Sequence, residues 1–481
     1  MGRALLKRLV ALVLAGVLVH GALHFLVDSG FVLRSPWSRD YGEGCVLAMA
    51  QLLSEHGTYF PTLRGYPLLV ANYPPVFIAL TAALHIAFGP SLRGPRLLSF
   101  LSTVGLLAVL YPLLRRLSGA RWIGAALTAL FVLPWFVTTW AALARVDMLS
   151  LLLSLAGLAV VERHGASARA WPALPLFWLA FFTKQTALVA PVAVVFDLLV
   201  ARDRRAARAL VAWGVPFAFL FAALVVATGG EAWRHLVLYT AAASYEWDRM
   251  AASYVHLAAI AGPLLILVAG GFALAPRAFL TEPGRVFFIY FLLKLATFAT
   301  IAKEGAAQNY FIEPWLATLP VAAVAVRVLG ERFPHRSVLR PAALLLAAVT
   351  AHSAYSALGR LPRALHHPER AREFVGLTRL VRQTPGPILS ENLSVLVVNR
   401  KPVLVEPFGV LLLARQGLLR PDLIVRDCEG GRFALVIKED RLDKIPGVGE
   451  CLARRYELVA DLGPYQALVP RARPRTPAPG R

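Results

Sequence analysis

Tyr73-Pro-Pro-Val76-Phe-Ile-Ala-Leu-Thr-Ala-Ala-Leu-His-Ile-Ala-Phe88 decides how the rest of this 481-residue chain is read. Around it lie eleven apolar stretches, at about 9–27, 97–114, 122–141, 146–161, 170–183, 185–200, 209–228, 254–276, 286–302, 311–327 and 340–358. Each is long enough, or nearly so, to cross a bilayer. The run Val76–Phe88 falls well short of the roughly 20 residues of a straight span. If it crosses, every later segment changes side.

The basic residues settle the matter, because arginine and lysine collect in loops that stay in the cytoplasm. With Val76–Phe88 read as half-inserted or surface-lying, one side holds 18 basic residues against four acidic ones (Glu162, Asp203, Glu282 and Glu331). If it spans, the cytoplasm loses all the later Arg-rich loops. The first topology is the one expected. It puts the N-terminus inside and sends Asp40/Glu43, Arg145/Asp147, Lys184, the segment 231–249, and Lys303/Glu304 with Asn309 to the opposite face.

Composition agrees with a polytopic membrane protein: 58% hydrophobic residues, 16% charged and a mean hydropathy of +0.61. The net charge of +22 follows from the cytoplasmic loops, and with no nucleic-acid motif present, no nucleic-acid partner is expected. The basic start Met1–Arg8 precedes an apolar run without a small-residue cleavage site, so the first helix stays attached. There is no Walker A sequence and no dinucleotide fingerprint, which argues against a nucleotide donor. Cys45, Cys428 and Cys451 lack metal-site spacing. Cys428 and Cys451 either pair in an oxidising compartment or remain thiols.

From about Gly359 the composition changes. Arg370–Gln383, Leu393–Asn399 and Phe408–Gln416 read as short helices. Strand-like runs begin at Pro387, Lys401, Pro421, Arg432, Tyr456 and Tyr465. The sum is a small extracytoplasmic α/β domain after an all-α membrane bundle.

The candidate chemistry is on the outer loops. Asp40 either caps the helix that starts near Glu43 or takes a proton from an attacking hydroxyl. Arg145-Val-Asp147 is a salt-bridged helix end, or a second carboxylate that binds a sugar hydroxyl or helps hold a divalent ion with Glu43. His56, His235 and His256 are interfacial histidines or further ligands. Lys184 and Lys303 lie among apolar residues at membrane level, where they snorkel or bind a lipid phosphate. Arg96 and Arg249 are weaker candidates. Asn309, in a polar entry to the next helix with Tyr310 and Glu313, can bond a sugar or phosphate oxygen.

Taken in order, Asp40-x-x-Glu43, Tyr73-Pro74-Pro75, Arg96-Leu-Leu-Ser99, Arg145-x-Asp147, Phe182-Thr-Lys184-Gln185-Thr186 and Gly305-x-x-x-Asn309-Tyr310-Phe311 resemble the GT-C superfamily of integral-membrane glycosyltransferases. The likeness is to the bacterial group similar to the aminoarabinose lipid A transferase and the protein O-mannosyltransferases, and it covers roughly residues 1–330. It implies inverting transfer of a sugar from a polyprenyl-phosphate donor to an envelope acceptor at the periplasmic face of a bacterial inner membrane. Asp40 would be the general base. Glu43, Arg96, Arg145, Asp147, Lys184, Lys303, Asn309 and Tyr310 would bind substrate or donor phosphate; for cofactors the reading stays open between none and a divalent ion, for which Glu43 and Asp147 are the candidate ligands. Residues 1–358 would form the catalytic membrane domain, with 28–95 its first periplasmic loop and juxtamembrane helices. Residues 359–470 would form the periplasmic domain, and 471–481 a disordered tail. Gly42 departs from the pattern, being small where bulkier residues are common. The rival readings are a lipid-linked-sugar flippase or transporter, and an O-antigen ligase or polymerase-type enzyme.

Overall fold

The computed structural model describes residues 2–165, 171–336, 338–357 and 368–471; the expected tail from Arg471 falls almost wholly outside them. The first helix, α1 (Gly2–Arg34), continues past Val27. It is followed by α2 (Tyr41–His56), α3 (Pro75–Phe88) and α4 (Arg93–Ser118). The α2 helix starts where Asp40, in extended conformation, accepts the Gly42 amide, and it ends at Gly57 in the left-handed conformation. The α3 helix has a proline at its first position, where the missing N–H costs nothing. Its 14 residues make a rod of about 21 Å, short of the roughly 30 Å hydrocarbon core. Phe77 and Ile78 face the protein while Leu80, Ile86 and Phe88 are exposed, as suits a helix lying against the bundle.

The remaining expected runs are helical as well, but several are broken. The run 122–141 becomes α5 (Arg121–Phe131) and α6 (Trp135–Trp140), interrupted before Pro134. The run from 146 becomes α7 (Asp147–His164). The pair about Lys184 is α8 (Ala173–Phe181), then a 3-10 turn Gln185–Leu188, then α9 (Val189–Val200), two short helices meeting at a polar turn. After α10 (Arg205–Ala227) the chain bends by 113° into Glu231–Tyr239. Among the described residues, five helices are long and apolar enough to cross a membrane: Ala4–Arg34, Arg93–Ser118, Trp247–Leu274, Gly284–Ala302 and Gln308–Arg332. The bent pair raises this to six. The helix Ile312–Arg332 is buried on all sides, with Val321 to Val326 at zero exposure. Its alanines and valines let Trp247–Leu274, Gly284–Thr297, α4 and α5 pack around it.

The C-terminal domain is a four-stranded sheet in the order β1 (Ile388–Ser390), β2 (Leu435–Lys438), β4 (Tyr465–Pro470), β3 (Tyr456–Leu462). β1 and β2 are parallel, and the other pairings are antiparallel. Two strand expectations are overturned. Pro421-Asp-Leu-Ile-Val opens the helix Asp422–Glu429, because proline and aspartate suit a helix start and Ile424 packs inward. Lys401–Glu406 stays out of the sheet. Its end instead pairs with the segment between α2 and α3, Leu68 donating to Leu404 O at 2.8 Å and Glu406 to Leu68 O at 2.8 Å. Cys428 and Cys451 form a disulfide. Gly44 lets this domain press on α2, since a Cβ there would lie 3.0 Å from the Ser394 nitrogen.

Candidate active site

Glu43 and Arg96 organise the site from behind. Their side chains are 0% exposed. Arg96 Nε donates to Glu43 Oε1 at 2.8 Å and Nη2 to Oε2 at 2.7 Å. The guanidinium also donates to the carbonyls of Val32 (2.7 Å), Ser35 (2.6 Å) and Trp37 (2.8 Å). Glu43 further accepts the amides of Ala144 and Arg39, each at 2.8 Å. Burial opposes the charge on Glu43, but Arg96 and these amides outweigh it and hold the carboxyl below its ordinary range. One buried pair thus fixes the end of α1, the Ser35–Arg39 loop, α2, α4 and the turn before Arg145. Ser99, in the same motif as Arg96, donates to Arg145 O at 3.1 Å.

Asp40 stands in front of this pair. Its Oδ2 receives Arg145 Nη1 at 2.7 Å and the Gly42 amide at 3.0 Å, so it is both helix cap and ion partner. Oδ1 makes no hydrogen bond among the described residues. Burial pushes the Asp40 carboxyl up, and Arg145 draws it part of the way back. Arg145 Nη2 also donates to the Tyr73 hydroxyl at 2.7 Å, which gives the Tyr73-Pro74-Pro75 motif its place. Gly42 explains the departure in the acidic motif: a Cβ there would sit 1.2 Å from Arg145 Nη1. Gly42→Ala is therefore expected to expel the guanidinium from Asp40 and to lower turnover by about 10-fold to 100-fold with little change in melting temperature, measured on the purified protein.

Deeper in, Lys184 Nζ donates to Asp147 Oδ1 at 2.9 Å and lies 3.5 Å from Glu313 Oε1. Asn309 Nδ2 donates to the same Asp147 oxygen at 2.8 Å. Glu313 is in turn bound by Lys294 and by Thr186 Oγ1. The sequence Asp40, Arg145, Asp147, Lys184, Glu313, Lys294 alternates in sign, so each buried charge is met by its neighbours. Glu313 and Lys294 went unrecognised as a pair in the sequence, where they sit on different predicted spans.

A cavity of about 480 Å³ opens on this array. It brings together Asp40, Tyr73, Arg145, Lys184, Lys303, Asn309 and Tyr310, drawn from five stretches of the chain far apart in sequence. Lys303 donates to Thr240 O and pairs with no carboxylate among the described residues. The C-terminal domain closes one wall with Glu406 and Arg441. Tyr41 donates to Glu406 Oε1 at 2.5 Å, and Arg441 lies 4.5 Å over the Tyr41 ring. Burial raises the Glu406 carboxyl above its usual range. Neither residue carries a signal in the sequence, since each reaches the site across the whole membrane domain.

Other expected residues are placed elsewhere. Arg96 and Glu43 lie behind the cavity, outside its lining. Arg249 donates to Ala306 O. His235 is buried, accepting the Ala71 amide at Nδ1 (2.9 Å), and His256 packs on Phe311. The proposed ligands do not suit a divalent ion. Glu43 already accepts four N–H donors, and Asp147 lies between the cations Arg145 and Lys184, which would repel a third. Among the described residues one other acidic group, Glu391, Glu439 and Asp440, has oxygens within 4.8 Å of one another.

No family model matches the chain, and no curated protein does. Solved structures do. ArnT from Cupriavidus metallidurans in the apo state is 15% identical with a TM-score of 0.57, covering 94% of this chain and 98% of that one. The same protein bound to undecaprenyl phosphate is 16% identical with a TM-score of 0.56 and the same coverage. The Archaeoglobus fulgidus oligosaccharyltransferase in complex with Zn and sulfate is 13% identical with a TM-score of 0.54, covering 92% of this chain and 71% of that one. The chain has the GT-C fold of these membrane glycosyltransferases, the family that its ordered motifs resemble.

Proposed function

We propose that this protein is an inverting glycosyltransferase that moves a sugar from a polyprenyl-phosphate donor to an envelope acceptor. The observation that carries the reading is Asp40. Among the described residues it keeps one carboxylate oxygen clear of hydrogen bonds, in a cavity whose other walls hold Arg145, Lys184 and Lys303. Asp40 takes the proton of the acceptor hydroxyl as that oxygen attacks the sugar C1. The C1–O bond to phosphate breaks, and the phosphate leaves with the electron pair. Developing charge on it is met by the cations of the cavity, of which Lys303 has no competing carboxylate among the described residues. An apolar pocket of about 300 Å³ between α9 and the helices Gly284–Thr297 and Ile312–Arg332 shares Lys184, Thr186 and Tyr310 with the cavity. It suits the first isoprene units. Undecaprenyl phosphate, which ArnT binds, is the carrier we assign.

The eleven-span topology belongs to the same proposal, with residues 1–358 as the membrane domain, 28–95 as the first outer loop, the N-terminus cytoplasmic and the domain 359–470 periplasmic in a bacterial inner membrane. Its support is the loop charge asymmetry, the gathering of outer segments in one cavity, and a disulfide that suits an oxidising compartment. Deleting the gene is expected to remove a sugar-sized mass from an envelope lipid, glycan or protein. An unchanged envelope, with lipid-linked sugar redistributed across the membrane and no bond broken, would point to a flippase. Lys303→Ala is expected to lower kcat/KM for the lipid donor by about 100-fold, with Lys303→Arg retaining more, in a steady-state assay.

A further inference from the structure

A second pocket, of about 270 Å³, lies between the start of α2 and the C-terminal domain. Asp40, Tyr41 and Arg441 line both it and the larger cavity, so the two meet at the proposed base. The larger cavity carries the membrane-level cations. The second pocket has a different chemistry. Its charged lining holds arginines and glutamates in equal number, Asp40 apart. A phosphate or carboxylate site would show an excess of arginine and lysine. Arg370 and Arg441 supply donors here, Arg441 held in place by Glu439 and Tyr41, and Glu373 and Glu439 supply acceptors, beside the aromatic rings of Trp37 and Tyr465. Acceptors and donors in balance, next to aromatic rings, match vicinal hydroxyls and the apolar face of a sugar.

Arg441 ties this pocket to the reacting centre. Its guanidinium lies over Tyr41 at 4.5 Å and donates to Glu439 Oε2 at 3.1 Å. The turn that presents it is held by Glu391, which accepts the amides of Arg441 (3.1 Å) and Leu442 (2.9 Å). The volume is at the low end for a small-ligand site, roughly that of one sugar ring and its linkage.

We propose that this pocket is the acceptor subsite and that it takes the neutral saccharide end of a glycan, presenting a hydroxyl to Asp40. The inference rests on the glycosyl-transfer reading above and adds the acceptor class to it. Arg441 is a positioning residue that orients the saccharide through its anchored guanidinium.

The test uses the full-length purified protein with two kinds of probe. Chitotriose, maltotriose and mannotriose are titrated by saturation-transfer NMR, with inorganic phosphate as competitor, and undecaprenyl phosphate binding is followed by native mass spectrometry. At least one trisaccharide is expected to bind, without displacement by phosphate. Tyr465→Ala and Glu373→Ala, both at partly exposed positions, are each expected to weaken it about tenfold while leaving undecaprenyl phosphate binding unchanged. Trisaccharide binding that both variants leave intact, displacement by phosphate, or no trisaccharide binding by a protein that holds undecaprenyl phosphate would each overturn the subsite. Failure to bind either probe would overturn the glycosyl-transfer reading with it.

Discussion

Asp40→Asn is expected to reduce turnover by about 10²-fold to 10⁴-fold, the usual range for removing a general base, with undecaprenyl phosphate binding and melting temperature nearly unchanged. Asparagine can still accept the Gly42 amide and cap α2, so the loss isolates proton transfer from folding. The pH profile gives a second readout. The base works only when ionised, so activity falls as pH drops through the Asp40 pKa. Burial raises that pKa and Arg145 lowers it in part. The acid limb should therefore lie above the range of an ordinary aspartate. Arg145→Gln removes the lowering influence, and the limb should move to still higher pH, whatever happens to the maximal rate.

The largest stability effect is expected at Arg96. Replacing it with leucine strands a fully buried Glu43 and releases three carbonyls, those of Val32, Ser35 and Trp37. Breaking a buried pair from one side costs about 3–5 kcal/mol. In detergent the Arg96→Leu protein should lose a large part of its thermal stability or fail to fold. Arg96→Lys should not rescue it, because an ammonium cannot span both Glu43 oxygens and three carbonyls at once. Wild-type melting in both variants, followed by circular dichroism, would contradict the anchoring role.

These two residues show what the sequence made legible. The Asp40 cap, the helix after it and the short helix after Pro75 follow from local chemistry and were readable. So was the gathering of Asp40, Arg145, Lys184, Lys303 and Asn309 in one cavity, because the loop charges predict a common side for them. The division of labour within Asp40-x-x-Glu43 was not. Both carboxylates look alike in one dimension, and only the arrival of Arg96 behind one and Arg145 beside the other separates the anchor from the proposed base. Arg441 and Glu406 were invisible for a related reason: they reach the site through docking of a domain distant in the chain. Pro421–Val425 misled because its β-branched residues suit a strand, while the aspartate after the proline starts a helix whose inner face is apolar.

The most direct test of the account is turnover by purified protein in proteoliposomes supplied with polyprenyl-phosphate-linked sugars and an envelope extract. The account predicts release of polyprenyl phosphate matched by a glycosylated product, both lowered at least about 10²-fold by Asp40→Asn in a protein that still folds and binds undecaprenyl phosphate. Equal release by the wild type and the Asp40→Asn variant would contradict it.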